Sequence, residues 1–386
     1  MTGRMQRNGL VLLCLAIWLG ICAAISTIGW VEVWSWLGVP TKFPPAFADM
    51  RSVQGGVLSA LQGFDPQIEN PADPWGRPMN YPAVWLSIAG IFDFNTELHF
   101  LIFMVVMVVA YVGCCLFLIW RTGSVWIALV LFSGASLLAV ERGNNDLAIF
   151  ILLMVASFAP RLVGVAVLAF ATVLKIFPVL GVMGFIRDRA MFAIACIACL
   201  IVIGFMWSEL QHIQAGIPVG AGVSYGSASI SGAALVKAGI SINPYLISAL
   251  LLVSAAALWS GRLPLPKLRL PVMDENVDRL FLIGGAIYLG TFLLVANYDY
   301  RLVFLIFCMP CFIAIEDRFW RLSILVAVIV ASNQWALFSI LGIAGAGINI
   351  LAKCFVFVTL ASLYLDQLLL ILDRDGVVKR KLAMSE

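Results

Sequence analysis

Glu141-Arg142-Gly143-Asn144-Asn145-Asp146 interrupts two apolar runs, Val125 to Val140 and Leu147 to Phe158. Each charge left in hydrocarbon costs roughly 2.5 to 3.5 kcal/mol even on the lenient insertion scale, so three charges in six residues belong at a membrane surface or in a wet cavity. The stretch therefore reads as a turn between two helices that carries chemistry. The surrounding chain fixes the class: 386 residues, 62% hydrophobic and 12% charged, with a mean hydropathy of +1.03. Such a chain has too little polar surface for a soluble globule and reads as an all-α polytopic membrane protein.

Outward from that turn, apolar runs recur at about 98–119, 125–140, 147–159, 162–174, 176–186, 190–207, 244–259, 280–296, 302–315, 322–340 and 347–371. The run Leu10 to Ile28, behind Arg4 and Arg7, is long enough to span and reads as an uncleaved first helix, although Ala23 and Ala24 would also suit a signal-peptide cleavage region. The expected architecture is one membrane domain, 1–386, with about twelve membrane helices. Several are short or broken, which is acceptable where they line a protein cavity. Residues 1–28 form the first helix, 29–97 an extracytoplasmic loop, 98–371 the remaining helices and 372–386 a cytoplasmic tail. Within the loop, Val53, Val57, Leu58 and Leu61 recur at helical spacing over Met50 to Gln62, which places Asp49 at or near an N-cap.

Walking from an inside N-terminus puts sixteen of the 24 Lys and Arg on the cytoplasmic side. Seven (Lys42, Arg51, Arg77, Arg142, Lys175, Lys237, Arg301) fall outside, and Lys353 stays within a run. The bias has the sign expected of a cell (inner) membrane protein with both termini cytoplasmic. It also places Asp49, the 141–146 turn, Lys175, the loop Ser208 to Asn243 and Asn297-Tyr298-Asp299-Tyr300-Arg301 together on the extracytoplasmic side. No phosphate-binding loop of nucleotide enzymes and no basic stripe for nucleic acid is present. The nine cysteines all lie in apolar runs, where they read as small packing residues without metal or disulfide. The Gly- and Ser-rich stretch Gly216 to Gly239 reads as a flexible outer loop.

An active site facing outward without nucleotides can use a group activated by a lipid phosphate. Arg142, Lys175 and Arg301 suit the leaving phosphate, since guanidinium and ammonium groups stabilise it in a partly dry site; lipid-headgroup anchoring by snorkelling is the alternative. Asp49 is the candidate base for an acceptor hydroxyl, or else a helix cap. Asn144, Asn145 and Asp146 are candidate substrate contacts. Trp75, Tyr81, Tyr298 and Tyr300, with Asp299 between the last two, could meet sugar faces or serve as an interfacial belt. His212 is a candidate phosphate donor or acid in the outer loop.

These residues, in this order, resemble glycosyltransferase family 87, membrane transferases of the GT-C class that include the mycobacterial mannosyltransferases. In that pattern an Asp follows the first helix, as Asp49 does. A G-x-D-P-Y-like turn follows, here Gly63-Phe64-Asp65-Pro66-Gln67, and a Y-P-P element reads Tyr81-Pro82-Ala83. Arg142-Gly143-Asn144-Asn145-Asp146 stands for a G-Q-x-N turn, and Leu174-Lys175-Ile176-Phe177-Pro178 for an L-K-P-x-P element. The resemblance covers about 45–180 and implies inverting transfer from a polyprenyl-phosphate sugar to a glycan or glycolipid acceptor, with Asp49 as base and no cofactor. A transporter or flippase for a lipid-linked solute is the alternative on the sequence.

Overall fold

A computed structural model describes residues 2–41, 45–209, 224–262, 265–294 and 297–373. His212, Lys42 and the tail beyond 373 lie outside these residues. The described chain is almost wholly helical. Its first half runs α1 (Thr2–Ile28), α2 (Trp30–Trp36), α3 (Ala48–Leu61), α4 (Val84–Ile91), α5 (Glu97–Thr122), α6 (Val125–Leu131), α7 (Gly134–Arg142), α8 (Asp146–Phe158), α9 (Arg161–Leu174) and α10 (Arg189–Phe205). The second half adds helices Ser227–Ala238, Pro244–Trp259, Glu275–Leu294, Met309–Ala314, Arg318–Ala331 and Gln334–Asp373. Two 3-10 segments, Phe177–Phe185 and Asp299–Phe307, and two short strands, β1 (Ser224–Tyr225) and β2 (Asn297–Tyr298), complete it.

Among the described residues four helices are long and apolar enough to cross a membrane: Arg4–Ile28, Glu97–Thr122, Glu275–Leu294 and Gln334–Ile371. The bent pair α6–α7, angled by 44°, makes a fifth if it is one span. The protein is therefore a helical membrane-spanning protein, and length accounts for four or five of the about twelve crossings expected. α8 and α9, with 13 and 14 residues, reach only about 20 Å at 1.5 Å per residue, short of a roughly 30 Å hydrocarbon core.

Three apolar runs expected as crossings differ in the structure, among them 302–315, which is divided between the 3-10 segment Asp299–Phe307 and the short helix Met309–Ala314. The run 176–186 is a 3-10 segment entered at Pro178, whose missing N–H suits a helix start. The run 322–340 is cut in two, because helix Arg318–Ala331 ends at Ser332 and a new helix starts at Gln334. The stretch Gly216 to Gly239 also differs from a flexible loop where it is described. It forms β1 and helix Ser227–Ala238, with Ser229 Oγ donating to Tyr225 O at 3.0 Å and Ser227 Oγ to Phe292 O at 3.4 Å. Small residues there allow close packing, which composition alone reads as looseness.

Helix Glu275–Leu294 is the axis of the core, with 78% of its apolar window buried. It packs against Phe177–Phe185, Asp299–Phe307, α8 and the last helix. Charged residues collect at two ends of the bundle. At one end Arg121 meets Asp274 (2.6 Å), Arg161 meets Asp188 (2.7 Å) and Glu275, and Arg187 meets Asp278 (2.5 Å). α5 and α9 run from there to the other end, where Glu97 pairs with Arg51 (2.5 Å) and Lys175 with Asp146 (2.5 Å).

Candidate functional site

The site grows from the way α3 begins. Phe47, immediately before it, adopts φ +63°, and its N–H donates to Glu141 O at 3.2 Å, tying α3 to the end of α7. A left-handed non-glycine residue costs on the order of 1 to 3 kcal/mol and persists only where its surroundings hold it. Here the Trp30 ring packs on Phe47 edge to face at 4.9 Å. The consequence is that Phe47, not Asp49, occupies the N-cap position, and Asp49 lies inside the first turn. Its carboxylate makes no cap and is turned to other partners.

Opposite it, α7 ends at Arg142 and Gly143 reverses the chain with φ +57°. A Cβ at Gly143 would come within 2.8 Å of Phe47 Cβ, so the turn needs glycine for both its dihedral and the close approach of α3. Gly143→Ala is expected to lower stability by about 1 to 3 kcal/mol. Thermal denaturation of the purified protein in detergent checks this, and an unchanged midpoint contradicts it.

That reversal delivers Asn144. Its Oδ1 accepts from the Asp146 backbone N–H at 2.9 Å and faces Lys175 Nζ at 3.4 Å, two donors that leave the amide nitrogen only the other direction. Nδ2 accordingly donates to Asp49 Oδ2 at 2.6 Å and lies 3.5 Å from the Tyr81 hydroxyl. Asp49 Oδ1 stays available. Among the described residues no hydrogen bond engages it, and Arg77 Nη1 stands 3.8 Å away.

Asp49, Ser52, Arg77, Asn80, Tyr81, Arg142, Tyr298 and Tyr300 line one cavity of about 470 Å³, together with Pro40, Pro78 and Leu138. Asp49 and Arg142, expected on the same side from charge counting alone, thus share a cavity with the three tyrosines expected as ligand contacts. Tyr298 and Tyr300 stack at 5.5 Å with their planes 25° apart. Burial holds the Tyr81 phenol well above its ordinary pKa, and Asp49 adds to the shift, so this hydroxyl remains neutral.

Four expectations are corrected. Lys175 and Arg301 do not line the cavity as free cations; both are paired with the one carboxylate of Asp146, whose side chain is wholly buried. Lys175 Nζ reaches Asp146 Oδ1 at 2.5 Å and Asn145 Oδ1 at 2.7 Å, while Arg301 Nε reaches Asp146 Oδ2 at 3.3 Å and its guanidinium lies 4.3 Å over Phe177. Burial pulls the Lys175 ammonium below the ordinary lysine range, against the attraction of Asp146. Asn144, Asn145 and Asp146, expected as substrate contacts, are accordingly fully buried and none lines the cavity; Asn144 acts on it through its bond to Asp49. Asp299 faces away, paired with Lys353 at 2.6 Å, because its neighbours Tyr298 and Tyr300 take the cavity side. Trp75 is outside the lining as well and instead covers the Arg77 guanidinium at 4.7 Å.

Arg77 is the residue that sequence reasoning missed. Asp73 holds it: Oδ2 accepts the Arg77 backbone N–H at 2.9 Å and Nε at 3.1 Å, and Oδ1 accepts Nη2 at 3.0 Å. The same Nη2 donates to Ala48 O at 2.6 Å, next to Asp49. The one available signal was an arginine between Gly76 and Pro78 with an acid four residues earlier. The cavity's cations are therefore Arg77 and Arg142, with side chains 37% and 34% exposed, each with a carboxylate partner, Asp73 and Glu141.

A second concavity of about 680 Å³ opens on the flank between α4, α5, α8 and α9 and is almost wholly apolar, with Ile102, Phe103, Val106, Ile151, Leu152 and Phe170 in its walls. Its inner wall ends at Trp85 and Leu174, joined by Trp85 Nε1 donating to Leu174 O at 3.0 Å. The next residue after Leu174 is Lys175, whose Nζ lies 5.5 Å from the Tyr81 ring. Apolar groove and polar cavity are thus neighbours across one step of the chain. Among the described residues no group of three or more His, Cys, Asp or Glu side chains has an arrangement that could hold a metal ion. No family model, curated protein or solved structure matches the chain.

Proposed function

We propose that the protein is a membrane glycosyltransferase. It moves a sugar, a hexose such as mannose, from a polyprenyl-phosphate donor to a hydroxyl of a lipid-linked or envelope glycan on the extracytoplasmic side, with inversion. The observation that carries this reading is Asp49, with one carboxylate oxygen fixed and the other open, in a cavity that also holds Arg77, Arg142 and a stacked tyrosine pair.

The cavity lies in the roughly 300 to 1,000 Å³ range of small-ligand sites and has the groups that inverting transfer needs. Asp49 Oδ1 takes the proton of the acceptor hydroxyl as that oxygen bonds to the anomeric carbon. The bond from that carbon to the phosphate oxygen breaks, and its electron pair leaves with the lipid phosphate. Arg77 and Arg142 oppose the charge that accumulates there, already oriented by Asp73 and Glu141. Tyr298 and Tyr300 offer ring faces to the sugar, and the flanking apolar groove suits a lipid chain. The short helices α8 and α9 are counted among the about twelve membrane segments of this reading.

Transporter function draws on one observation: the last helix is broken at Gly342 (φ +59°, ψ −135°) and carries Lys353, which is buried in a pair with Asp299. The two readings part on the cavity arginines. Arg77→Ala and Arg142→Ala are each expected to raise the KM for a polyprenyl-phosphate sugar about tenfold or more, since a hydrogen bond to a charged group is worth about 1.5 to 3 kcal/mol. Steady-state kinetics in detergent with defined donors measures this. Unchanged kinetics in both variants would remove the arginines from the site.

A further inference from the structure

Lys353 is the one cation that charge counting left inside an apolar run, and the site described so far does not use it. Its side chain is 2% exposed, and its Nζ gathers partners from three separate parts of the chain. It reaches Asp299 Oδ1 at 2.6 Å, Ser224 O at 3.2 Å and Gln334 Oε1. Ser224 belongs to β1, whose antiparallel partner in β2 is Tyr298. Asp299 is the next residue, and Tyr300 follows. One ammonium therefore ties together β1, the residue that follows β2 and the start of the last helix.

Position decides what that grip does. Pro40 and Leu138 line the main cavity and also a small void of about 10 Å³ that Asp299 and Gln334 close from behind. The ion pair thus lies beyond the Pro40 and Leu138 side of the cavity, and Asp299 is joined through the backbone to Tyr298 and Tyr300 on either side of it. Buried charges seldom add stability over apolar residues of the same size, and their attested use is to fix a particular arrangement. A charge inside a membrane helix is costly and ordinarily functional.

We infer that Lys353, through Asp299, is the positioning residue of the aromatic wall, holding Tyr298 and Tyr300 where they set the affinity for the sugar ring. The inference rests on the reading of this cavity as a sugar-binding site. Lys353 touches no ligand and acts through the wall.

The test uses the full-length protein in detergent, with 3-fluorotyrosine placed singly at 298, 300 or 245; Tyr245 is 78% exposed and serves as the control. Lys353→Met alone strands Asp299 and is expected to fold poorly. The pair Lys353→Met/Asp299→Leu removes both charges, and Lys353→Arg keeps the charge while changing its reach. In both, the fluorine resonances at 298 and 300 are expected to shift and broaden while that at 245 stays. The KM for the donor is expected to rise about tenfold to a hundredfold with kcat little changed. Parental resonances at 298 and 300 in either folded variant would overturn the inference, as would an unchanged KM in a variant whose resonances had moved. A parent protein without transferase activity would instead defeat the transferase reading and leave the fluorine result to decide the positioning role.

Discussion

The Asp49→Asn protein is expected to insert and fold like the parent and to lose transfer by about 10² to 10⁴-fold, the usual contribution of a positioned general base. The substitution is isosteric, and the surroundings tolerate it. Asn144 Nδ2, now 2.6 Å from a carboxylate oxygen, can donate equally to the amide oxygen of the new residue. Ser52 Oγ, bonded to the Asp49 carbonyl at 2.8 Å, is unaffected. What disappears is proton affinity at Oδ1, the atom left open to the cavity. Donor binding should change little, because Arg77 Nη1 at 3.8 Å makes no hydrogen bond with the carboxylate. Kinetics with a saturating donor, beside size-exclusion profiles of both proteins, provide the measurement. Retention of parental turnover would show that another group takes the proton.

Asp146→Asn is expected to be the most damaging single change in the protein's stability. Among the described residues Asp146 is the sole hydrogen-bonded carboxylate partner of Lys175 and Arg301, whose side chains are 14% and 13% exposed. Removing one member of a buried charge cluster leaves the others unpaired and costs about 3 to 5 kcal/mol. The magnitude exceeds that expected for Lys175→Met, after which Asp146 still holds Arg301 and no surplus cation remains buried. The damage should also reach catalysis, since Lys175 helps fix the Asn144 amide that orients Asp49. Comparing thermal midpoints of the two variants tests the order. A Lys175→Met protein less stable than Asp146→Asn would refute the charge balance drawn here.

The class of fold and the neighbourhood of the site were legible in the chain, because both depend on where charge can sit in a hydrocarbon layer. Alternating Lys and Arg across the apolar runs placed Asp49, Arg142, Tyr81, Tyr298 and Tyr300 together, and they share one cavity. Pairing was not legible. Asp146 is separated from Lys175 and Arg301 by 29 and 155 residues, and nothing local shows that one carboxylate pairs with both cations. Asp299 was misread for the same reason, as its partner lies 54 residues away in the last helix. Arg77 sits in an irregular loop, where no periodicity marks which way a side chain faces, so its role emerged only from the Asp73 carboxylate that grips it. The segments Phe177–Phe185 and Asp299–Phe307 carry the hydropathy of membrane helices but are short 3-10 turns buried by neighbours. Hydropathy records burial without saying whether lipid or protein provides it.

The most direct measurement is product formation by the purified protein in nanodiscs, given a radiolabelled polyprenyl-phosphate hexose and a glycolipid acceptor fraction. A new glycosidic bond of inverted configuration, lost when Asp49→Asn protein is used and formed more slowly by Arg142→Ala protein at low donor concentration, is the predicted result. Intact donor in every reaction, with the labelled lipid carried across sealed proteoliposomes instead, would contradict the transferase reading.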